Sequence, residues 1–294
     1  MPHAAVVYLD GEFKSASEAR ISVFDRGYLL AHAAYEVTAF YDGKLVDFEH
    51  HKARLARTLT ALEIPQPSEM DGLEALHLDL IERNQAQEGL AYLQVTAGAY
   101  DGRDFAGPEY FKPSFFLWAR ERPLLADINR DGVSAITLPD TRWSRRDLKT
   151  TQLLSQALAY RAARRAGAFT AWMHEDGHVT EAASANAWIV LTNGVLATRD
   201  LSPALLPGVT RSTVARLCEA AGFTVETRPF SIEEARQAAE AFTTSTGAGI
   251  LPILSLDGQP IGDGSPGPVT RAVQALYYQH MGMDVARVAP WAKA

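Results

Sequence analysis

The sequence predicts an α+β protein built from two domains. Short β-prone segments are joined by turn dipeptides such as Asp42-Gly43 and Asp176-Gly177, and several amphipathic helical segments lie between them. Strands and helices follow one another in no regular βαβ order, which favours α+β. With 294 residues the chain can form two modest domains. We place a smaller α+β domain at 1–120, a polar linker containing Pro123 at 121–132, and a larger domain at 133–294.

In the N-terminal half, alternating side chains and amphipathic periodicity predict strands and two helices. Tyr35, Val37 and Ala39 alternate with their neighbours, so one face of their strand is expected to line an enclosed space. The predicted strands and helices of this half are a hairpin at 4–9 and 12–14, a short strand at 22–24, helices at 48–62 and 71–83, and strands at 91–97 and 114–119.

The C-terminal half begins with a helix directly after Lys149, whose apolar positions Leu153, Leu154, Ala157, Leu158 and Ala162 share one face. Turn dipeptides divide the following strands, and glycine ends the later helix at Gly222. The remaining predicted elements are strands at 169–173, 178–180, 186–191 and 195–199, a helix starting near Thr210, a strand and turn at 241–252, a last hairpin, and a helix from about Val269.

Composition favours an intracellular protein with a small-molecule ligand. The net charge of -7 and the pI near 5.6 argue against a nucleic-acid-binding surface. Cys218, the single cysteine, lies in an apolar helical pattern and is expected to be a buried thiol in a reducing compartment. The first residues, M-P-H-A-A-V-V-Y-L-D-G, have neither a basic region nor a long apolar run, and no stretch approaches the roughly 20 apolar residues of a membrane span. We therefore expect a cytoplasmic protein that does not interact with membranes.

Two side chains of opposite charge emerge from neighbouring elements in the middle of the chain. Lys149 precedes a helix and Glu181 follows the second strand of a hairpin. Taken singly, such residues are typical of a protein surface. Their surroundings, however, contain D-L-K-T, then G-A-F-T-A-W, then D-G-H-V-T-E-A-A-S-A-N-A-W.

This ordered set of segments resembles the signature of the class IV aminotransferases, the pyridoxal-phosphate enzymes of fold type IV. The resemblance implies a two-domain fold like that of D-amino-acid aminotransferases, with the cofactor at the domain interface. It also implies that Lys149 carries pyridoxal 5'-phosphate as a Schiff base and acts as the catalytic proton shuttle. Glu181 would contact the pyridine nitrogen and, when ionised, keep that nitrogen protonated.

Two further motifs match the positions at which this family holds the cofactor. In H-x-x-R-L, at His51, Arg54 and Leu55, the arginine is the phosphate ligand of the family, and a planar guanidinium suits a phosphate. L-P-G-V-T-R stands directly before a helix, whose free N–H groups form a ready anion site. The cofactor contacts that the resemblance implies in this half are Leu206 on the pyridine ring, Val209 and Thr210 at the phosphate, and Thr246 completing the phosphate site.

The expected substrate residues lie on an early strand and in a loop. In the family's D-amino-acid transaminases, a tyrosine, an arginine and a histidine handle the substrate carboxylate, partly across a dimer interface. Y-E-V at 35–37 matches, which implies that Tyr35 and Val37 line the substrate pocket, and Arg103 aligns with the arginine. Phe105 replaces the histidine and cannot donate a hydrogen bond to a carboxylate. The family's usual G-D-G before the tyrosine reads Ala31-His32-Ala33.

The function expected from these matches is transfer of an amino group between a D-alanine-like D-amino acid and a 2-oxo acid by a ping-pong mechanism. An (R)-selective amine transaminase using pyruvate is the first alternative, followed by a branched-chain aminotransferase or an aminodeoxychorismate lyase. A cofactor- or metabolite-binding protein without turnover is the non-enzymatic alternative. We expect no metal, because His50 and His51 lack the i, i+4 spacing of helical ligands. As in the family, we expect a homodimer.

Overall fold

The computed structural model describes residues 5–292 and divides into two compact units. Unit 1 comprises Met1–Leu124 and Leu148–Gln152, and unit 2 comprises Leu125–Asp147 and Leu153–Ala294. Each unit combines a sheet with helices, so the predicted α+β class is confirmed. Lys149 belongs to unit 1, whereas the domain bounds expected from the sequence place it in the larger domain at 133–294.

Unit 1 is an antiparallel sheet with the strand order β2-β1-β6-β5-β3-β4. Its strands are β1 (Val6–Leu9), β2 (Glu12–Ser15), β3 (Ala33–Tyr41), β4 (Lys44–Leu45), β5 (Glu88–Thr96) and β6 (Ser114–Glu121). Its helices are α1 (Arg26–Leu30), α2 (Phe48–Ala61) and α3 (Leu73–Arg83), with a 3-10 turn at Ser68–Met70.

The core of unit 1 fills the space between one sheet face and the helices α2 and α3. Leu55 and Leu59 lie one turn apart on α2 and pack with Leu93 of β5 and Leu117 of β6, and all are almost fully buried. Because side chains alternate along a strand, the opposite face of the sheet carries a different set, including Tyr35. This second face bears the candidate catalytic residues.

Three expectations for the N-terminal half can be compared with unit 1. The Asp42-Gly43 turn is confirmed, with φ of 49° and 70°, as a two-residue hairpin requires. The strand at 22–24 was wrong: the Asp25 N–H donates to the Ser22 carbonyl and closes a turn there. The predicted strand start at Ala4 lies outside the described residues.

Unit 2 contains a mixed sheet with the order β12-β11-β10-β13-β14-β7-β8-β9, to which β15 adds beside β14. Its strands are β7 (Val133–Pro139), β8 (Thr170–Glu175), β9 (His178–Ala182), β10 (Asn186–Val190), β11 (Leu196–Thr198), β12 (Val225–Thr227), β13 (Glu240–Ser245), β14 (Gly249–Leu256) and β15 (Gln259–Pro260). Its helices are α4 (Asp127–Asp131), α5 (Leu154–Arg165), α6 (Val209–Ala220), α7 (Ile232–Arg236), α8 (Pro268–His280) and α9 (Val285–Val288), with a 3-10 turn at Pro290–Ala292.

Helix α5 packs through small residues and not through its leucines. Ala159 and Ala163 are buried, whereas Leu154 and Leu158 are 73% and 51% exposed. The predicted apolar stripe therefore forms a helix, but its leucines do not belong to the core of unit 2. Cys218 on α6 is buried as predicted, and burial raises the pKa of its thiol to about 12. No helix within residues 5–292 has the length and apolarity needed to cross a bilayer.

Candidate active site

Lys149 lies on a short extended segment that pairs with the beginning of β3. The Tyr35 N–H donates to the Lys149 carbonyl at 3.0 Å, and the Thr151 N–H donates to the Ala33 carbonyl at 3.2 Å. The Lys149 amine stands 4.2 Å from the centroid of the Tyr35 ring. Backbone pairing thus fixes the base of the lysine, while its amine lies beside the sheet face that bears Tyr35.

An aromatic row extends this sheet face across three strands. The Tyr35 ring stacks on Tyr92 at 5.6 Å between centroids, and Tyr92 stacks on Trp118 at 5.5 Å. The Tyr92 hydroxyl donates to the Gln94 side-chain oxygen at 2.7 Å, and burial raises the pKa of Tyr92. The row forms a rigid apolar wall with the lysine at one end.

Arg54, the arginine of the H-x-x-R-L motif, lies on α2 and is held by Glu36 of β3. Arg54 Nε and Nη2 donate to the two oxygens of Glu36 at 2.7 and 2.8 Å, and His51 Nδ1 lies 2.8 Å from Glu36 Oε2. All three side chains are at least nine-tenths buried. Burial alone would raise the pKa of the Glu36 carboxyl, but Arg54 and His51 hold it well below its ordinary value. Burial lowers the pKa of His51 in spite of the carboxylate.

Arg103 and Phe105 lie in the loop at 97–113, which connects β5 to β6. The Arg103 guanidinium stands 4.7 Å over the Phe105 ring, and Phe105 is 70% exposed. Within residues 5–292, no hydrogen bond or ring contact joins Arg103 to Lys149 or Tyr35. Unit 1 therefore brings Tyr35 to the lysine, while the contact described for Arg103 is with its loop neighbour Phe105.

In unit 2, Glu181 lies on β9 and accepts hydrogen bonds from three directions. Asn186 Nδ2 donates at 3.0 Å, the Leu206 N–H lies 3.3 Å from each carboxylate oxygen, and Arg142 Nη1 also donates. Burial raises the pKa of the Glu181 carboxyl, and the Arg142 guanidinium opposes that shift. Since every partner donates a hydrogen bond to it, the arrangement favours the ionised carboxylate against the effect of burial.

The side chain of Arg142 is buried beside Glu181, and the sequence analysis missed it. Its Nη2 donates to Asp140 at 2.6 Å, and the Thr180 hydroxyl donates to the same carboxylate oxygen at 2.7 Å. Arg142 stands in the polar run T-R-W-S-R-R-D, which contains no spacing that distinguishes it from the neighbouring arginines. Only the fold shows that it links two carboxylates.

The start of α6 approaches the same carboxylate. Gly208 is the N-cap, and within residues 5–292 no side chain caps the first turn. A Cβ at Gly208 would lie 2.0 Å from Asn186 Oδ1, so the close approach requires glycine. Asn186 Nδ2 also donates to the Leu206 carbonyl at 2.9 Å, and Val209 and Thr210 are buried. These contacts join the L-P-G-V-T turn to Glu181.

Thr246 lies in the turn between β13 and β14. It follows Thr244 by two residues, and Thr244 is the sheet partner of Asn186. Each unit, taken by itself, carries groups whose chemistry suits a part of pyridoxal phosphate. Unit 1 carries a primary amine beside an aromatic wall; unit 2 carries a carboxylate surrounded by hydrogen-bond donors and a helix start that no side chain of the described residues caps.

Comparison with known proteins identifies the family. Residues 33–256 match the family model described as amino-transferase class IV. The chain is 32% identical over 276 residues to a D-alanine aminotransferase of Staphylococcus aureus (strain MSSA476), covering 94% of this chain and 97% of the relative. It is 35% identical over 285 residues to the D-alanine aminotransferase of Bacillus licheniformis, covering 96% and 99%.

Solved structures show the same fold. The branched-chain amino acid aminotransferase of Escherichia coli superposes with a TM-score of 0.87 at 24% identity over 94% of each chain. The branched-chain aminotransferase of the thermophilic archaeon Thermoproteus uzoniensis, solved with norvaline, gives 0.84 at 24% identity over 97% of each chain. The two-domain α+β architecture of fold type IV, expected from the resemblance, is thereby confirmed. Together with the family match, it establishes that the chain belongs to the class IV aminotransferases and is a pyridoxal-phosphate-dependent transaminase.

Proposed function

We propose that this enzyme transfers an amino group between a D-alanine-like D-amino acid and a 2-oxo acid in a ping-pong reaction. The observation that supports this substrate class is the similarity to D-alanine aminotransferases, which extends over more than nine-tenths of the chain. The branched-chain enzymes, at 24% identity in the solved structures described above, share the fold but give no argument on substrate.

Lys149 is the proposed catalytic residue. When bound, pyridoxal phosphate supplies an electron sink that stabilises negative charge on the α carbon of the substrate. The Lys149 amine would hold the cofactor covalently until the amine of the substrate takes its place; the released Nζ would then take the proton from that α carbon and hold it for the return step. The backbone pairing of residues 149–151 with β3 favours this role, because it holds the base of a flexible side chain in place.

The other proposed cofactor residues bind and orient without moving a proton. Glu181 would accept a hydrogen bond from the pyridine nitrogen, and the donors around it favour the ionised carboxylate against the effect of burial. Arg54, held by Glu36, would present its guanidinium to the phosphate. The proposed contacts from the L-P-G-V-T turn and the later turn are Leu206 on the ring, with Val209, Thr210 and Thr246 at the phosphate.

For the substrate we propose Tyr35 and Val37 as pocket residues and Arg103 with Phe105 as the loop residues near the carboxylate. Tyr35 and Val37 lie on one face of β3, two residues apart, with the lysine amine beside the tyrosine. Arg103 can donate two parallel hydrogen bonds to a carboxylate. Phe105 contributes only apolar surface, so recognition would depend on a single charged group in this loop.

We also propose a cytoplasmic homodimer. Unit 1 exposes large apolar side chains near α1: Val23 is 67%, Phe24 is 50% and Tyr28 is 72% exposed. Such a cluster is typical of a surface that a partner covers. Light scattering after size-exclusion chromatography tests this proposal, and a mass of one chain at micromolar concentration would contradict it.

The reaction is tested by offering one amino donor at a time, without an acceptor. Purified protein saturated with pyridoxal phosphate is mixed with D-alanine, L-leucine or (R)-1-phenylethylamine, and the carbonyl product is quantified by chromatography. We expect about one equivalent of pyruvate per subunit from D-alanine and then no more, as a ping-pong half-reaction requires. Product from L-leucine alone, or from the amine alone, would refute the proposed donor.

Two variants test the lysine in the same assay. Lys149→Ala should release no product, and borohydride should attach no cofactor at position 149. Lys44→Ala, an exposed lysine of β4, should behave as wild type. Cofactor attached by borohydride at another lysine of the unaltered protein would remove Lys149 from its proposed role.

Arg103 is tested by a substrate comparison. Arg103→Met should lower kcat/KM for D-alanine by about tenfold to a hundredfold, since a charged hydrogen bond contributes about 1.5–3 kcal/mol. The value for (R)-1-phenylethylamine, which has no carboxylate, should stay unchanged wherever the enzyme accepts this amine. Arg20→Met is the matched control, because Arg20 is exposed in the same unit. Equal losses on the acid and the amine would exclude Arg103 from carboxylate binding.

A further inference from the structure

Arg26, on the short helix α1, is buried inside the loop at 97–113 that carries Arg103 and Phe105. Its Nη1 donates to the Asp104 carbonyl at 2.6 Å, and its Nη2 donates to the Phe105 carbonyl at 2.8 Å. The side chain is only 4% exposed. One guanidinium therefore holds two consecutive peptide units directly after Arg103.

The loop is packed around this guanidinium. A Cβ at Gly107, whose φ is +74°, would lie 3.0 Å from Arg26 Nη1 and 2.9 Å from the Phe111 ring. The Arg26 guanidinium carbon stands 5.2 Å from the centroid of that ring. The Arg26 guanidinium thus fills the interior of the loop, against Gly107 and the Phe111 ring.

His32 orients Arg26 from the other side. Its Nε2 lies 2.8 Å from the Leu62 carbonyl, which can only accept, so this nitrogen carries the proton. Nδ1 is then free to accept from Arg26 Nε at 3.4 Å. Ala31, directly before it, adopts a left-handed conformation with φ 54°, a strained choice for a residue with a Cβ.

Backbone contacts fasten α1 to the end of β5, where the loop begins. The Arg26 N–H donates to the Gly98 carbonyl at 2.9 Å. Asp25 accepts from the Thr96 hydroxyl at 2.7 Å and from the Gly27 N–H at 2.8 Å. The base of the loop is therefore hydrogen-bonded directly to the short helix that carries the arginine.

We propose that Arg26, oriented by His32, is a positioning residue that fixes this loop and thereby sets the preference of the enzyme for carboxylate-bearing substrates. The inference rests on the proposed function, because Arg103 in that loop is the proposed carboxylate ligand. At residues 104 and 105 Arg26 contacts the backbone carbonyls, so it acts through the placement of Arg103 and Phe105. It does not bind substrate itself.

Limited trypsin digestion tests the loop independently of activity. Within 97–113 trypsin can cleave only after Arg103, since Lys112 is followed by proline. In Arg26→Met we expect the new N-terminus at Asp104 to appear about tenfold faster, as expected when protection by a charged contact is lost. Arg26→Lys, which keeps the charge but loses the fork, should give an intermediate rate. Arg20→Met should be cleaved after Arg103 as slowly as wild type.

Steady-state kinetics then separate positioning from a general loss of structure. Arg26→Met should raise KM for D-alanine about tenfold with kcat within about threefold, and Arg26→Lys should restore part of the loss. Cleavage at the wild-type rate, or an unchanged KM, would overturn the inference. If Arg26→Met does not fold, Arg26→Lys alone decides by the same two readouts. If unaltered protein does not act on D-alanine, the proposed function fails, and the digestion still reports on Arg26.

Discussion

Replacing Glu36 by glutamine tests whether a buried carboxylate supports the arginine of the H-x-x-R-L motif. Glu36 accepts two hydrogen bonds from Arg54, at 2.7 and 2.8 Å, and one from His51 at 2.8 Å. Glutamine has nearly the same shape but one acceptor oxygen, and its amide N–H groups would face other donors. The substitution therefore leaves the Arg54 charge buried without its counter-ion.

The size of the effect follows from the burial of the pair. The side chains of Arg54 and Glu36 are 6% and 5% exposed, so water cannot replace the lost carboxylate. Losing about two charge-assisted hydrogen bonds at about 1.5–3 kcal/mol each gives about 3–6 kcal/mol. Removing one partner of a buried ion pair typically costs about 3–5 kcal/mol, which agrees. We expect Glu36→Gln to lower the free energy of unfolding by about 4 kcal/mol.

Asp79→Asn is the matched control, because Arg83 Nε lies the same 2.7 Å from Asp79 Oδ1. These side chains are 47% and 43% exposed, and an exposed i, i+4 pair contributes only about 0.5 kcal/mol. Both variants are compared with wild type by urea unfolding of the cofactor-free protein at pH 8. If Glu36→Gln costs no more than Asp79→Asn, the carboxylate does not stabilise the motif.

The same pair predicts the direction of a pH effect. The pKa of Glu36 in the folded protein lies below its ordinary value of 4.5, so its stabilisation is complete above pH 4.5 and is lost as the pH falls further. The difference in unfolding free energy between wild type and Glu36→Gln should therefore shrink below pH 4.5. A difference that stays constant down to pH 3 would contradict the assignment of the charge to Glu36.

Two further predictions concern a buried histidine and the start of α6. Burial lowers the pKa of His77 from 6.5 to about 4. Between these two pH values the imidazole is protonated in the unfolded chain but not in the folded protein. The free energy of unfolding should therefore fall by about 3 kcal/mol as the pH drops from 6.5 to 4. His77→Asn, which keeps a donor for the Leu73 carbonyl, should remove this slope in a urea unfolding series; an unchanged slope would locate the effect elsewhere. Gly208→Ala places a Cβ 2.0 Å from Asn186 Oδ1 and should weaken pyridoxal phosphate binding about tenfold in an absorbance titration. Gly72→Ala, where the added Cβ has open space, should bind like wild type, and equal affinities for both variants would separate the α6 start from the cofactor.

The parts of the fold that the sequence predicted are those with local causes. Helix α2 was expected at 48–62 and is found at Phe48–Ala61, because the spacing that places Leu55 and Leu59 on one side is an i, i+4 signal. The Asp176-Gly177 turn was expected for the same kind of reason. Its φ angles of 49° and 75° are positive, a conformation that Asp-Gly favours independently of the surrounding packing.

The parts that the sequence did not predict depend on partners far along the chain. Strand β7 (Val133–Pro139) lies between β14 and β8 and forms its backbone hydrogen bonds with these two strands. Neither strand is adjacent to it in the sequence, so no local pattern predicts the pairing. The leucines of α5 had a correct helical spacing, yet Ala159 and Ala163 are the buried residues. A periodic stripe shows that a helix has an apolar side, but not which element will cover that side.

Buried arginines show the same limit at the candidate site. Arginine is normally exposed, so a sequence gives no reason to place Arg142 between two carboxylates or Arg26 inside a loop. Burying a guanidinium is costly unless its donors are satisfied. Asp140 is only two residues from Arg142, but Glu181 lies 39 residues from Arg142 and Asp104 lies 78 residues from Arg26.

The two arginines differ in which substitutions at neighbouring residues would break their hydrogen bonds. Arg142 contacts side chains, so substitution of either carboxylate breaks its contacts. Arg26 contacts main-chain carbonyls, which any residue at 104 or 105 supplies. Position 105 can therefore carry either phenylalanine or a hydrogen-bonding side chain, because the contact with Arg26 uses only its main-chain carbonyl. If Arg103 and Phe105 have the substrate roles proposed above, substrate preference can change at position 105 without loss of the scaffold that presents Arg103.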